Sequence, residues 1–241
     1  MQTPRRIVCC AMRILTLNLR HGGGTRTKGI VGFLDDHMAD AVVLTEFRKN
    51  SAGRQITDYL ESIGLQWSAS NVGSAKQNTV LIAAKKLNPR SLLSPPNDWS
   101  IHSADVDGLN ILGLYLPQKA LKAPVYRWLV QTAGALDRSV MVGDFNTGLN
   151  DLDVQGRSKF WCEADFRLLS TQLMVDAYRA KNGDAKEYSW YSRAGNGFRV
   201  DHALITSDLK PSLASAKYLH ESRNGASDHS ALMIEFDKPC A

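Results

Sequence analysis

The sequence predicts an α/β fold in which sheets carry helices on their outer faces. Three observations carry that expectation. Apolar runs of strand length recur along the chain. Helical patterns alternate with them at first, and the C-terminal half is richer in strands. Several of the runs are continuous rather than alternating, as in strands covered on both faces.

The expected strands are "RILTLNL" (13–19), "DAVVLTEF" (40–47), "NTVLIAA" (78–84), "LNILGLYL" (109–116), "SVMVGDF" (139–145), "FRVDHALIT" (198–206) and "SALMIEF" (230–236). Between them, "GIVGFLDDHM" (29–38) sets Ile30, Phe33 and Leu34 on one helical stripe. "SAGRQITDYLESIG" (51–64) reads as a helix capped by Ser51 and stopped at Gly64. "PVYRWLVQTAGAL" (124–136) opens on a proline suited to a first turn, and "CEADFRLLSTQLM" (162–174) is a further helix. "NPRSLLSPPNDWS" (88–100) reads as a surface connection rather than a domain boundary. We expect one domain from 12 to 241, preceded by a loose extension over 1–11.

With 241 residues, 44% hydrophobic and 22% charged, the chain is globular rather than disordered. A net charge of +5 is compatible with a polyanionic partner. Cys9, Cys10, Cys162 and Cys240 show no metal-ligand spacing and read as free thiols in a reducing compartment, which implies the cytoplasm. No apolar stretch approaches the roughly 20 residues needed to cross a bilayer, so no membrane partner is expected. The two arginines near the start precede an apolar segment, but Arg13 interrupts it and no cleavage site fits without cutting the first strand.

Polar groups recur at the ends of apolar strands. Asn18 closes the first, Glu46 follows the second, and Asp144 and Asn146 end "SVMVGDFN". Asp201 and His202 lie inside "FRVDHALI", and Asp228 and His229 precede "SALMI". Each has an ordinary reading taken alone: a surface carboxylate, a turn asparagine, a hydrogen-bonded histidine. Five such tips together must converge on a ligand or satisfy one another. Phosphodiester hydrolysis needs this set. A hard cation such as Mg²⁺ takes one or two carboxylates and shares a phosphate oxygen, which suits Glu46 with Asn18 and Asp144 nearby. Asp144 suits the orientation of an attacking water, and Asn146 can donate to a non-bridging oxygen. His229 can stabilise developing charge, with Asp201 on its other nitrogen. Asp228 is placed to touch the metal, or to orient the water or the leaving oxygen.

The order Asn18, Glu46, "YLPQ" (115–118), "GDFN" (143–146), "SWYS" (189–192), "RVDH" (199–202) and "SDH" (227–229) resembles the endonuclease/exonuclease/phosphatase superfamily, and within it the exonuclease III-type apurinic/apyrimidinic (AP) endonucleases. The resemblance runs from Met12 onward. It implies a DNase I-like four-layer α/β/β/α sandwich of two mixed sheets with outer helices and the site at one rim. It also implies Glu46, Asn18 and Asp228 at a Mg²⁺ or Mn²⁺ ion, and Tyr115, Asp144, Asn146, Asp201 and His229 as the catalytic set. Trp190 and Phe198 fall where that family builds an apolar pocket for a sugar without its base. Arg20, Asn78 and Gln118 complete the expected substrate contacts. The chain departs from the pattern in "NLRHGG", where Arg20 replaces a polar ligand, and in Thr45, where glutamine usually precedes the glutamate. Asn78 and the Asp201-His202 pair follow other branches of the superfamily.

Basic segments 20–29, 48–54 and 192–199 supply Arg20, Arg26, Lys28, Arg48, Lys49, Arg54, Arg193 and Arg199 as phosphate contacts. Trp190 and Tyr191 could stack or line a pocket, but a pair of aromatics adjacent in a strand reads first as core, and Trp67, Trp99, Trp128 and Trp161 receive no role. The expected function is a metal-dependent phosphodiesterase on duplex DNA, cutting 5′ of an abasic site with 3′-end trimming, as a monomer. A general DNase, a phosphatase for small phosphoesters or lipids, and a non-catalytic binding module are the alternatives.

Overall fold

Strand and helix periods in this chain sort apolar side chains onto three separate surfaces, and those surfaces fix the layers. The structure is a computed structural model that describes residues 12–70, 74–89 and 95–237. The extension 1–11, Cys9, Cys10 and Cys240 lie outside the described residues, as does part of the connection 88–100.

The elements in chain order are β1 (Met12–Asn18), α1 (Thr27–Asp36), β2 (Ala41–Phe47), α2 (Ser51–Ser62), β3 (Gln66–Ala69), β4 (Thr79–Ala84), β5 (Asn88–Pro89), β6 (Ile101–Val106) and β7 (Leu109–Tyr115). They continue with α3 (Ala123–Ala133), β8 (Ser139–Asp144), α4 (Glu163–Leu168), β9 (Val175–Asp176), α5 (Ala177–Asn182), β10 (Trp190–Tyr191), β11 (Gly197–Phe198), β12 (Asp201–Ile205), β13 (Leu213–Leu219) and β14 (Ala231–Phe236).

One six-stranded sheet has the order β13-β14-β1-β2-β4-β3, and the other β5-β6-β7-β8-β12-β9. Each is mixed: β1 and β2 are parallel in the first, β7 and β8 in the second, and the other pairings are antiparallel. Alternate side chains of every central strand face opposite ways. Ile14, Val43, Val80 and Ile82 of the first sheet meet Ile111, Val140, Val142 and Ile205 of the second in one buried layer. Leu15, Leu17, Val42 and Leu44 face the other way and pack on Ile30, Phe33, Ile56 and Leu60 of α1 and α2. Leu112, Met141 and Leu204 likewise pack on Val125, Tyr126, Leu129 and Phe166 of α3 and α4. The result is the expected α/β/β/α sandwich. The continuous apolar runs follow from it, because each inner strand has a sheet on one face and helices on the other.

Close approach of the sheets requires glycine at 113, where a Cβ would fall 2.5 Å from Val80 Cγ1 and 2.9 Å from Val43 Cγ1. Two local expectations are corrected. Asn50, not Ser51, caps α2: its side chain accepts the Gly53 N–H, and Ser51 is already the first helical residue. The helix expected over 162–174 is α-helical only to Leu168 and widens to a π-turn over Leu169–Leu173. Gly64, with φ of 81°, follows α2 as expected.

Candidate active site

Strand register brings the polar tips to one rim. Tyr115 pairs with Asp144, and Asp144 with Asp201, so these three side chains cross β7, β8 and β12 in a single row. In the facing sheet Asn18 ends β1 beside Thr45 of β2. Glu46 follows Thr45 at a register shift against β4, with its backbone in the left-handed region at φ 53°. A bulge of this kind re-aims a side chain, here toward the cleft. Arg20, His21 and Asn146 are also left-handed. Residues held in such conformations concentrate at functional sites.

Asn18 is completely buried and joins the two sheets. Its Nδ2 donates to Glu46 Oε1 at 3.2 Å and to Asp144 Oδ2 at 2.9 Å, while its Oδ1 accepts the Arg20 N–H at 2.8 Å. Asn18, expected as a metal neighbour, thus presents nitrogen to the carboxylates and holds them in place. Glu46 Oε2 accepts the His21 N–H at 2.6 Å and Asn78 Nδ2 at 2.9 Å. The same Asn78 nitrogen reaches the Tyr115 hydroxyl at 3.3 Å, and its oxygen takes Arg48 Nε at 2.6 Å. Asn146 folds back on its own loop: its N–H donates to Asp144 Oδ1 at 2.8 Å and its Nδ2 to Leu116 O at 2.8 Å.

On the other side, His229 Nδ1 lies 2.8 Å from Asp201 Oδ2, which leaves Nε2 as the ring nitrogen for a ligand. Ser227 Oγ donates to Asn18 O at 2.5 Å and accepts the His229 N–H at 3.0 Å, tying this loop to the end of β1. Burial alone would lower the His229 pKa, but the Asp201 carboxylate outweighs it and raises the imidazole to about 9. Burial and the neighbouring Asp201 push the Asp144 carboxyl up to about 7. Burial, reinforced by Glu46, lifts the Tyr115 phenol well above its ordinary value, which keeps it a neutral donor.

Asp228 Oδ1 is buried with no hydrogen-bond partner, and its Oδ2 lies 3.6 Å from Arg20 Nε. That orphaned oxygen and the Glu46 carboxylate offer the hard donors a divalent cation takes. A second grouping is Asp144, Asp201 and His229, whose ligand atoms lie within 4.8 Å of one another. The site can therefore hold a metal, although the Asp201–His229 bond already occupies part of the second grouping.

A cleft of about 790 Å³ opens over these groups. Of the expected residues, Arg20, Glu46, Tyr115, Gln118, Asp144, Asn146, Trp190, Phe198, Asp228 and His229 line it. Asn18, Asn78 and Asp201 stand behind them and hold Glu46, Asp144, Tyr115 and His229 through the bonds above. Trp190 and Phe198 pair across the β10–β11 hairpin with ring centroids 5.7 Å apart, and Trp190 lies 6.3 Å from the His229 ring. The core reading of Trp190 and Tyr191 is corrected: Trp190 is half-buried, Tyr191 is 42% exposed, and both line the cleft.

Several cations expected on phosphate belong elsewhere. Arg199 is completely buried, with Nε 2.6 Å from Asp153 Oδ1 and Nη2 2.7 Å from Asp176 Oδ2. Arg26 spends its guanidinium on the carbonyls of Leu19, Arg20 and Ala226. Lys49 and Arg54 line a separate depression beside Trp67 and the first turn of α2. His202 is buried, with Nε2 2.7 Å from the Thr147 carbonyl. Conversely, His21, Lys119, Lys122, Lys159, Phe160 and Trp161 line the cleft without having been singled out. Lys122 is almost fully buried, donates to the Asn146 carbonyl and, at 2.7 Å, to Thr147 Oγ1; burial lowers its pKa to about 8. The aromatic pair in the polar, non-periodic segment "GRSKFW" was the one signal available for the others.

Fold and rim together define a class: a DNase I-like sandwich with an acidic, histidine-bearing cleft between two mixed sheets. The profile of the Endonuclease/Exonuclease/phosphatase family matches residues 15–229, and the chain belongs to that family. No curated protein sequence matches it. Among solved structures, an AP endonuclease from Archaeoglobus fulgidus superposes with a TM-score of 0.79 at 20% identity, over 94% of this chain and 100% of that one. A 3′-5′ exonuclease from Neisseria meningitidis gives 0.80 at 21% identity, over 94% and 100%. A 3′ phosphatase from Neisseria bound to a product DNA hairpin gives 0.78 at 21% identity, again over 94% and 100%. At these identities the likeness is one of fold.

Proposed function

We propose that this chain is a Mg²⁺- or Mn²⁺-dependent phosphodiesterase acting on DNA, and that its preferred substrate is a duplex cut on the 5′ side of an abasic site, with 3′-end trimming. The observation that carries the reading is the meeting of two hydrogen-bonded sets at one cleft: Glu46–Asn18–Asp144 from one side and Asp201–His229 from the other. The AP endonuclease and DNA-bound 3′ phosphatase among the structural neighbours support the substrate class.

Glu46 and Asp228 would hold the cation, Asp228 through an Oδ1 that has no hydrogen-bond partner and Glu46 through a carboxylate fixed in place by Asn18, His21 and Asn78. When bound, the ion supplies Lewis-acid stabilisation of the phosphate and its leaving oxygen. Asp144 orients the attacking water and accepts its proton, from a carboxyl fixed by Asn18 and by the Asn146 N–H. Protonated His229 donates from Nε2 to a non-bridging oxygen as charge develops, and Asp201 fixes its ring. Tyr115 lines the same wall and donates to the phosphate, with Arg20 and Gln118 beside it, while Asn146, its Nδ2 held by Leu116 O and Asp144 Oδ2, steadies Asp144. Trp190 and Phe198 form the apolar wall for a sugar without its base. The chain works as a monomer in the cytoplasm, as one domain from residue 12 onward.

The experiment is metal-dependent cleavage of an abasic duplex beside the intact duplex and a small phosphomonoester, with EDTA as control. Preferential cutting of the abasic strand is expected. Equal cutting of both duplexes would make the chain a general DNase, and phosphate release from the small ester alone would make it a phosphatase.

A further inference from the structure

We propose that Trp161 is a nucleobase-stacking platform at the lip of the cleft, so that the site recognises an unpaired, base-bearing nucleotide beside the phosphate it cuts. The inference rests on the reading of the cleft as a DNA phosphodiesterase and adds a determinant that the strand-end residues do not supply.

Tryptophan is among the residues most buried on average, yet Trp161 is 56% exposed and lines the cleft. Its exposure comes from a held loop. The Trp161 carbonyl accepts Thr147 Oγ1 at 2.9 Å, and the Phe160 N–H donates to Asn150 Oδ1 at 2.8 Å. The Phe160 ring stands edge-on to Phe198 at 5.8 Å. Cys162 turns the chain through the left-handed region, at φ 60°, into α4. Thr147 directly follows Asn146, so a single hydrogen bond connects the backbone of Trp161 to the segment that closes on the proposed phosphate.

The indole face is also unclaimed. Tyr191, an exposed phenol ring of the same cleft, already carries the Arg223 guanidinium 4.8 Å from its centroid and Tyr188 edge-on at 6.1 Å. Trp161 has no such ring or cation partner among the described residues. Lys119, Lys159 and Arg193 line the same cleft. Cations that track phosphates together with an exposed aromatic face are the chemistry of single-strand nucleic acid binding, where each stacked base contributes and sequence matters little. An unphosphorylated peptide would use the indole but not the phosphate-facing groups beside it.

The test is binding in EDTA, so that nothing is cut, of a short oligodeoxythymidylate and of an abasic-spacer chain with the same number of phosphates. Wild type, Trp161→Ala and Trp161→Phe are compared. Stacking of one base predicts that Trp161→Ala weakens the base-bearing strand about tenfold, leaves the abasic chain unchanged, and is rescued by Trp161→Phe. Equal affinities for wild type and Trp161→Ala, or an equal loss on both chains, would overturn the proposal. Metal-dependent cleavage is measured in parallel on the abasic duplex. Loss of the binding difference with cleavage intact would sink the platform alone, and absence of cleavage in wild type would sink the underlying reading.

Discussion

Replacing Arg199 with methionine tests how the rim is held. The guanidinium is inaccessible to solvent and makes four hydrogen bonds, to both oxygens of Asp153 and both of Asp176. Methionine fills the space, leaves the buried Asp176 without a guanidinium, and leaves Asp153 with Arg179 as its remaining cation. Removing one partner of a buried pair costs about 3–5 kcal/mol. At roughly 2–4 °C per kcal/mol for a chain of this size, Tm should fall by about 6–20 °C. The pH dependence gives a second check. Burial alone would raise the Asp176 carboxyl, but Arg199 and His202 hold it far below its ordinary 3.8. A depressed carboxylate contributes its stability above pH 3.8 and loses it only as pH falls through the lower folded value. Without Arg199, burial dominates and the carboxyl rises. The deficit of the variant should therefore be largest at neutral pH and narrow on acidification. Urea midpoints across pH 4–8, an order-of-magnitude window set by carboxylate titration, would measure it. A midpoint equal to wild type, or a deficit that widens in acid, would refute this reasoning.

Further outcomes follow from the same geometry. Asp144→Asn should lower DNA cleavage by about 10²–10⁴-fold while DNA binding by filter retention is kept; a variant that no longer folds would make the residue structural instead. His229→Ala should lower turnover by about 10²–10³-fold. In wild type the His229 contribution to turnover should hold while the imidazole stays protonated and disappear as pH rises through about 9, since the pair with Asp201 raises its pKa in the folded protein; a rate that keeps climbing above that pH would remove the imidazolium from the mechanism. Trp190→Ala should reduce cutting at abasic sites more than cutting of intact strands, read as the ratio of the two rates.

The central strands were legible because they are covered on both faces, and coverage writes an unbroken apolar run. The missed strands are mostly at edges. β3, β5, β9 and β13 each pair on one side only, and β3 is half-exposed "QWSA". β6, "IHSADV", is interrupted by polar residues, among them His102, whose Nε2 lies 2.8 Å from Ser68 Oγ of β3 in the facing sheet. The rim was legible for the converse reason: a carboxylate or amide at the end of an apolar run requires a partner. The partners themselves were only partly readable. Asn18 showed as a polar tip, but its place between Glu46 and Asp144 depends on the two sheets closing face to face. Arg199 looked like a loop cation because its carboxylates lie 46 and 23 residues away in sequence. Asn50 and Ser51 are both good caps, and only backbone geometry separates them.

The most direct measurement is DNA cleavage by protein stripped with EDTA, before and after Mg²⁺ or Mn²⁺ is restored, for wild type and Glu46→Gln. Cleavage should vanish on stripping and return with either ion in wild type, while Glu46→Gln stays folded and needs far more metal or fails to recover. Undiminished cleavage by stripped protein, or a Glu46→Gln variant with an unchanged metal response, would contradict the account.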